Sequence, residues 1–266
     1  MNEAVFTEAT GPLQRAVSLL RLLASHGRRG LSLSEISGAS GLPHPTVHRL
    51  LNQLVGERLV QRHPQSRKYI LGALTFELGV AAAQQFDIRD VCNDSLARLA
   101  LDTGETSYLV MRSGDEAVCI DRQEGHAPIR VMSLNIGSRR LLGVGAGGLA
   151  ILAAFHESEW TSFVEVHEAR FLAEWKLSST MLLQSIRQAR ENGYALIRNR
   201  ITLGTTAVGC PICDTFGNPL GSISIAAINE RMDGSRTHKV GAMVMAAAKD
   251  IEALLRRTSV RRLVAE

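Results

Sequence analysis

The sequence predicts an α+β protein built from two modules, and three observations carry that reading. Positive charge is confined to the first quarter: residues 1–72 hold nine Lys/Arg against four Asp/Glu, and the remainder holds 21 against 22. Hydrophobic periodicity is helical early in the chain, whereas helices and strands mix after Asp87. Between the two lies an Ala- and Leu-rich stretch, residues 71–86, with no Gly/Ser tether in it. A length of 266 residues suits one large domain or two smaller ones, and 45 % apolar with 21 % charged residues is ordinary for a globular chain.

The first helix opens at Pro12 and Leu13. Leu13, Val17, Leu20 and Ala24 repeat at helical spacing, and Ala16, Leu19 and Leu23 widen the stripe beyond one core contact, so the extra face suits either a partner subunit or a helix buried on two sides. Gly27 and Gly30 end it. In the segment 31–42, Ser32 or Ser34 caps a short helix with Glu35 in its first turn, Leu33, Ile36 and Ala39 face inward, and Gly41 makes the turn. A third helix is expected from Pro45, with His44 outside it. Its Val47, Leu50, Leu51 and Leu54 share one side; Thr46, Arg49, Asn52 and Gln53 lie opposite, flanked by Pro45 and His48. Two short strands then surround His63-Pro64-Gln65-Ser66, with Arg62, Arg67 and Lys68 beside the loop.

Helix, helix–turn–helix and a hairpin with a basic tip make a winged helix–turn–helix. An α-helix fits the DNA major groove, and a basic hairpin beside it meets phosphates or the minor groove. His44, Pro45, Thr46, His48, Arg49 and Asn52 are the candidates on the helix; Arg62, Arg67 and Lys68 are the phosphate candidates. The stretch 72–86 reads as a linker helix with Leu71, Leu74, Leu78 and Ala82 in register, a candidate dimer contact.

Beyond it, Ile88–Leu101 reads as a helix, Thr106–Arg112 and Ala117–Arg122 as strands around a Ser-Gly-Asp turn, and Ile129–Leu134 as a third strand. Helices are expected at Gly147–Phe155 and Ser178–Asn192, strands at Thr205–Cys213 and Leu220–Ala227 around a hairpin at 214–218, and a closing helix at Val240–Arg256. The order suits a mixed sensor-type domain and not strict βαβ alternation.

Several patterns argue against other functions. Gly143, Gly145 and Gly148 match a dinucleotide fingerprint but follow a poor strand candidate, so a glycine turn opening a helix, with backbone N–H groups for a small acceptor, is preferred. Cys210 and Cys213 lie at a strand end, where residues three apart face opposite sides, and Cys92 and Cys119 supply no second zinc pair. The histidines form no metal-binding spacing, and no catalytic triad stands out, so neither enzyme activity nor a cofactor or metal is expected. No apolar run exceeds seven residues, which excludes a membrane-spanning helix, and the N-terminus lacks a secretory pattern; a cytoplasmic protein is expected.

These residues resemble the isocitrate lyase regulator (IclR) family of bacterial transcription factors over nearly the whole chain. The similarity rests on RAVSLLRLLASHGRRGLSLSEISGASGLPHPTVHRLLNQL, YILG at 69–72, TGETSYL at 103–109, VCIDRQEG at 118–125 and GSRRLL at 137–142. It continues in AGGLAILAA at 146–154, IRQARENGYA at 186–195 and AVGCPICDTFGNPLGSISIAA at 207–227. The resemblance implies a winged helix–turn–helix over 9–71 that binds double-stranded operator DNA, a linker helix over 72–86, and a GAF-like effector-binding and oligomerisation domain over 87–262. It implies a homodimer or tetramer, repressor action, and control by a small organic acid or an aromatic carboxylate.

The chain departs from the family pattern. His44-Pro45 stands where Lys-Ser is usual, and Pro45 donates no hydrogen bond. Leu141-Leu142-Gly143 replaces Pro-Leu-His, Leu149 a lysine, and Arg198-Asn199-Arg200 an acidic stretch; Ala207 and Ala226 replace a cysteine and a serine, while Ser224 remains. The resemblance therefore points to Arg139, Ala146, Gly147, Arg198, Thr205, Ala207, Ser224 and Ala226 around the effector, with Arg139, Arg198 or Arg200 meeting its carboxylate and a less polar pocket suited to an aromatic acid. Two other classes compete: a GAF-like redox enzyme or sensor using Cys210 and Cys213, and a winged helix that binds protein instead of DNA.

Overall fold

The computed structural model describes residues 11–83 and 88–265. The chain divides into two compact units, the second beginning at Ile88.

In the first unit, helix α1 spans Pro12–His26, with Pro12 at its first position and Gln14 accepting from the Gly11 N–H at 3.2 Å. Gly27 ends it at φ 48°. Its core face is Leu19 and Leu23, both fully buried; Leu13 and Val17, expected at the heart of the stripe, stand 76 % and 37 % exposed. The periodicity was shared by two faces, and the core took the one offset by a helical step. Helix α2, Leu33–Ser40, starts at a capping box: the Glu35 N–H donates to Ser32 Oγ at 3.2 Å and the Ser32 N–H to Glu35 Oε2 at 2.7 Å. Gly41 takes the left-handed conformation that ends it, φ 65°.

Helix α3 spans His44–Gly56 and so begins one residue before Pro45. Pro43, at φ −58° and ψ 142°, supplies the extended entry, which leaves His44 inside the first turn. Strands β1, Val60–Arg62, and β2, Tyr69–Leu71, pair antiparallel, Val60 facing Leu71, and close the wing. Val47, Leu50, Leu51, Leu54, Val60 and Tyr69 join the α1 leucines in one core. Helix α4 is described over Ala73–Ala83; the last residues of the expected linker, 84–86, lie outside the described residues.

The second unit is built on a six-stranded sheet among the described residues, ordered β5-β4-β3-β8-β7-β6 and antiparallel throughout. Its strands are β3 Thr106–Ser113, β4 Glu116–Gln123, β5 Arg139–Leu141, β6 Ala195–Arg198, β7 Thr205–Cys213 and β8 Pro219–Ile228. Helices α5, Ile88–Thr103, and α10, Gly234–Ala265, cover one face, packing Leu96, Val244 and Ile251 on Leu109, Ile223 and Ile225. Helices α6, Gly145–Ala153, and α9, Ser179–Asn192, cover the other. Strand β8 sorts its residues by the two-residue period: Ile223 and Ile225 face α5 and α10, while Ser222, Ser224 and Ala226 face α6.

Helices α7, Glu157–Val166, and α8, Glu168–Trp175, and strand β6 are absent from the sequence reading. Trp160, Val164 and Phe171 are the buried anchors that announce the two helices. Ile129–Leu134 is not the expected third strand. The edge place beside β4 goes to Arg139–Leu141, and 129–134 runs as an irregular strap whose carbonyls are bound by side chains. Helix α6 opens at Gly145, two residues early, and α10 at Gly234, where the Asp233 carboxylate accepts from the Arg236 N–H at 2.7 Å.

Candidate functional site

The polar side of α3 is the first candidate surface. Burial of Val47, Leu50, Leu51 and Leu54 leaves His44, Pro45, His48, Arg49 and Asn52 exposed, with Thr46 half-buried. His44, His48 and Asn52 follow one another at four-residue spacing, and Asn52 Nδ2 lies 3.5 Å from His48 Nδ1. The Thr46 and Val47 N–H groups both donate to the Pro43 carbonyl, at 2.9 and 3.1 Å, so backbone donors at this end are spent on the turn. On the wing, Arg62 Nε donates to the Arg67 carbonyl at 3.0 Å, and its guanidinium lies 5.6 Å from the Tyr69 ring centre. Arg67 is exposed and sits at the turn with φ 58°. Lys68 is half-buried, its ammonium 3.4 Å from the Glu35 carboxylate. The hydrogen bonds from the Ser32 backbone and hydroxyl, helped by Lys68, hold Glu35 down at about 2. Lys68 is thus tied to the cap of α2, unlike Arg62 and Arg67.

The second candidate is a cavity between the sheet and the start of α6, with about 650 Å³ of empty space including its mouth. Its floor is the small-residue face of the sheet: Ala117, Ala207, Ser224 and Ala226. Gly147 sets how closely α6 lies on that floor, since a Cβ there would come within 2.8 Å of Ser222 Oγ and 2.9 Å of a Val110 methyl. Ser222 Oγ donates to the Gly147 carbonyl at 3.0 Å and fixes this approach. One end is walled by Val131, Ser133 and Leu134 of the strap, the other by Ile197, Ile201, Thr202 and Thr205. The first turn of α6, Gly145 to Gly148, points into it, and Val144 before it offers no side-chain cap. Ser224 Oγ makes no hydrogen bond among the described residues, whereas Thr205 Oγ1 donates to the Thr202 carbonyl at 2.7 Å.

Of the expected effector residues, Ala146, Gly147, Thr205, Ala207, Ser224 and Ala226 line this cavity. The arginines do not. Arg139 points from the opposite face of β5, where Nε lies 2.7 Å from Glu116 Oε2 and Nη2 donates to Ser113 Oγ at 2.9 Å. Arg198 is spent on the Met232 carbonyl, and Arg200 on Ser185 Oγ at 3.2 Å from both of its Nη atoms. The cation in the cavity wall is Arg140. The signal lay in the Arg139-Arg140 pair itself: adjacent strand residues face opposite ways, and only the register with β4, Ala117 opposite Arg140, decides which one faces inward. Arg140 Nη2 donates to the Ser133 carbonyl at 2.6 Å, and its guanidinium stands 5.7 Å from the Trp175 ring centre. Burial pulls its pKa down, and the ionisable groups acting on it are Tyr108 and Cys119. Burial pushes both of these up, Cys119 to about 12, so both are neutral at pH 7. Among the described residues no carboxylate lies within ion-pair distance of Arg140.

The competing features resolve as packing. Cys210 is buried and Cys213 half-buried, and desolvation pushes their thiols up to about 12 and about 11, far from the lowered values of reactive cysteines. Gly143 and Gly145 take φ of 91° and 75° in the turn between β5 and α6, within an antiparallel sheet that offers no βαβ unit. Glu105, from the TGET segment, is buried and bound by Arg231, whose Nε and Nη2 each lie 2.7 Å from a carboxylate oxygen, with Arg236 at 3.4 Å. No group of metal-binding side chains occurs among the described residues, nor any helix long and apolar enough to cross a membrane.

Comparison with known proteins places both units in one family. Residues 12–64 match the IclR helix-turn-helix domain, and residues 80–253 match the bacterial transcriptional regulator IclR C-terminal domain. The chain is 31 % identical over 244 residues to the HTH-type transcriptional repressor AllR of Salmonella typhimurium, covering 91 % of this chain and 89 % of that one. It is 30 % identical over 254 residues to AllR of Escherichia coli K12, covering 95 % and 93 %. The crystal structure of an IclR transcriptional regulator from Alicyclobacillus acidocaldarius superposes with a TM-score of 0.74 at 24 % identity, over 92 % of this chain and 98 % of that one. An IclR homologue from Microbacterium hydrocarbonoxydans, complexed with 4-hydroxybenzoate, gives 0.69 at 20 % identity, over 93 % and 100 %. The chain belongs to the IclR family of bacterial transcriptional regulators, and it is a regulator, not an enzyme.

Proposed function

We propose that this regulator is a repressor that binds operator DNA through α3 and the wing, and that a small organic acid in the cavity of the second unit controls that binding. The observation that carries the reading is the acid-free, solvent-facing side of α3 beside an exposed basic wing. His44, His48, Arg49 and Asn52 would meet base edges, with Pro45 and Thr46 at the groove wall, while Arg62 and Arg67 neutralise phosphates. Lys68, engaged by Glu35, contributes less. Repression accords with the AllR relatives, and an organic acid with the ligand of the Microbacterium neighbour.

The boundaries 9–71, 72–86 and 87–262 give each task its own segment. A homodimer or tetramer in the cytoplasm is the working form: exposed Leu13 and Val17 on α1, and Phe76, Leu78 and Val80 on α4, are apolar surface that one copy leaves uncovered. A dimer meets two half-sites at one spacing, so a ligand that alters the relative pose of its two winged units alters affinity. The test is titration of the protein with its own upstream intergenic DNA, in excess unrelated DNA, at several salt concentrations. Saturable binding that survives the competitor and falls steeply with salt is expected. A flat salt dependence and loss to competitor would leave the winged helix as a protein-binding module.

A further inference from the structure

The strap over the cavity is held by side chains instead of a sheet ladder. Arg231 Nη2 donates to the Ile129 carbonyl at 2.6 Å, the Tyr108 hydroxyl to the Val131 carbonyl, Arg140 to the Ser133 carbonyl, and Arg122 Nη1 to the Leu134 carbonyl at 3.1 Å. Two of the three arginine pins carry a carboxylate of their own: Arg231 has Glu105, and Arg122 has Glu124 at 3.1 Å. Arg140 has none, and it is the pin that lines the cavity. A half-buried guanidinium without a counter-ion is costly, and an arriving anion removes that cost. A second feature converges on the same point. A Cβ built at Gly145 would lie 3.5 Å from Arg140 Nη1, so that nitrogen is already beside the uncapped first turn of α6. Guanidinium and helix N-terminus together form an anion site with charge, dipole and directed N–H donors. Val110, Val131, Leu134, Ile197 and Ile201 supply an apolar wall for the body behind the charge, and the Ser224 hydroxyl is a polar group on the floor.

We propose that Arg140 is the counter-ion for the carboxylate of an aryl or similarly apolar acid, and that it gives up the Ser133 carbonyl to bind it. Arg140 therefore switches between two acceptors, the strap in the free protein and the ligand in the complex. Ligand uptake frees the Ser133 carbonyl, while the Ser133 N–H still donates to the Tyr108 hydroxyl at 3.2 Å and the rest of the strap keeps its Arg231, Tyr108 and Arg122 bonds. The proposal rests on the cavity being the effector site, and it specifies the ligand charge and the residue that reads it.

Benzoate, 4-hydroxybenzoate and phenylacetate, each beside its primary amide, are the probes, followed by thermal protection and by hydrogen exchange of residues 129–134. The acids are expected to raise the melting temperature and the amides not to. Exchange in the strap is expected to quicken when acid is bound. Arg140→Leu is expected to weaken acid binding by about tenfold or more and to show the quickened strap exchange with no ligand present. Arg140→Lys, which keeps charge but loses the fork, is expected to fall between. The acid–amide comparison uses the unaltered protein, so it decides even if a variant fails to fold. Equal protection by acid and amide, undiminished acid binding by Arg140→Leu, slower strap exchange in the complex, or no shift with any acid each overturns the proposal. Operator binding that responds to an amide would remove Arg140 while leaving the cavity as effector site. Operator binding indifferent to every probe would count against that site as well.

Discussion

Arginine does different work in the two units. In the winged unit, Arg49 on α3 and Arg67 on the wing are exposed and make no ion pair among the described residues. In the second unit the same side chain is spent on structure. Arg231 and Arg236 close on buried Glu105, Arg139 and Arg170 share Glu116, and Arg190 Nη1 donates to the Ala153 and Phe155 carbonyls at the end of α6. An exposed arginine keeps its hydration and gives it up only to a polyanion, so the first unit can bind and release. A half-buried one needs a partner in place of water, so these arginines fix strands and helix ends, and Arg140, which has no carboxylate, is the exception. The charge count agrees with this division: residues 73–266 sum to −1, and the positive excess, +5, lies in residues 1–72.

The largest effect should come from breaking the most buried of these pairs. Glu105→Gln leaves Arg231 and Arg236 with a neutral amide in place of a carboxylate that is 1 % exposed. The loss should be about 3 kcal/mol, the low end for a broken buried pair because both arginines retain some solvent contact. Both tryptophans, Trp160 and Trp175, belong to the second unit, so denaturation followed by their fluorescence reports on it directly. A loss under about 1 kcal/mol would make the network a surface feature, in the range of exposed salt bridges, and blur the contrast between the units.

The two units were also unequally legible in sequence. The winged unit was the more legible because its signals are local: a serine cap beside Glu35, left between Ser32 and Ser34, Gly41, and the Val47, Leu50, Leu51 and Leu54 face of α3 each act within a few residues. Two expectations were overturned there: Leu13 and Val17 point outward with Leu19 and Leu23 inward, where two apolar faces carry the same period, and His44 lies inside α3 because Pro43 supplies the extended entry. In the second unit the strands flanking tight turns were found, Thr205–Cys213 to the residue. The strap at 129–134 was not, because its alternating Ile129, Val131 and Ser133 look like a strand while its hydrogen-bond partners are side chains scattered along the sequence, from Tyr108 to Arg231. The cavity followed the same rule. Its small residues, Ala146, Gly147, Ala207 and Ser224, were reachable through the family resemblance, but the choice of Arg140 over Arg139 depends on the pairing of β5 with β4.

The surface arginines should separate by the kind of contact they make. Arg49→Ala should cost on the order of 1–3 kcal/mol in operator binding and relax specificity at one base position. Arg67→Ala should weaken operator and unrelated DNA alike and lower the salt slope by about one. Competition titrations over a salt series measure both. If Arg49→Ala weakens all sequences equally, α3 contributes charge and no readout.

The smallest effect belongs to the cap of α2, where the winged unit ties down one of its few acids. Ser32→Ala removes the hydroxyl that accepts from the Glu35 N–H and should cost about 1 kcal/mol. Glu35 titrates at about 2 in the folded protein, below its ordinary 4.5, so its ionised form favours folding. That contribution is complete above about 4.5 and disappears as the pH falls through about 2. Glu35 is exposed, so salt screens the part owed to Lys68 and leaves the part owed to the Ser32 donors. The pH dependence of α2 stability, followed by amide exchange of residues 33–40, should therefore survive high salt and flatten in Glu35→Gln. If high salt abolishes it instead, the ion pair and not the capping box governs Glu35, and Lys68 returns to the set of cations that the wing can offer to phosphate.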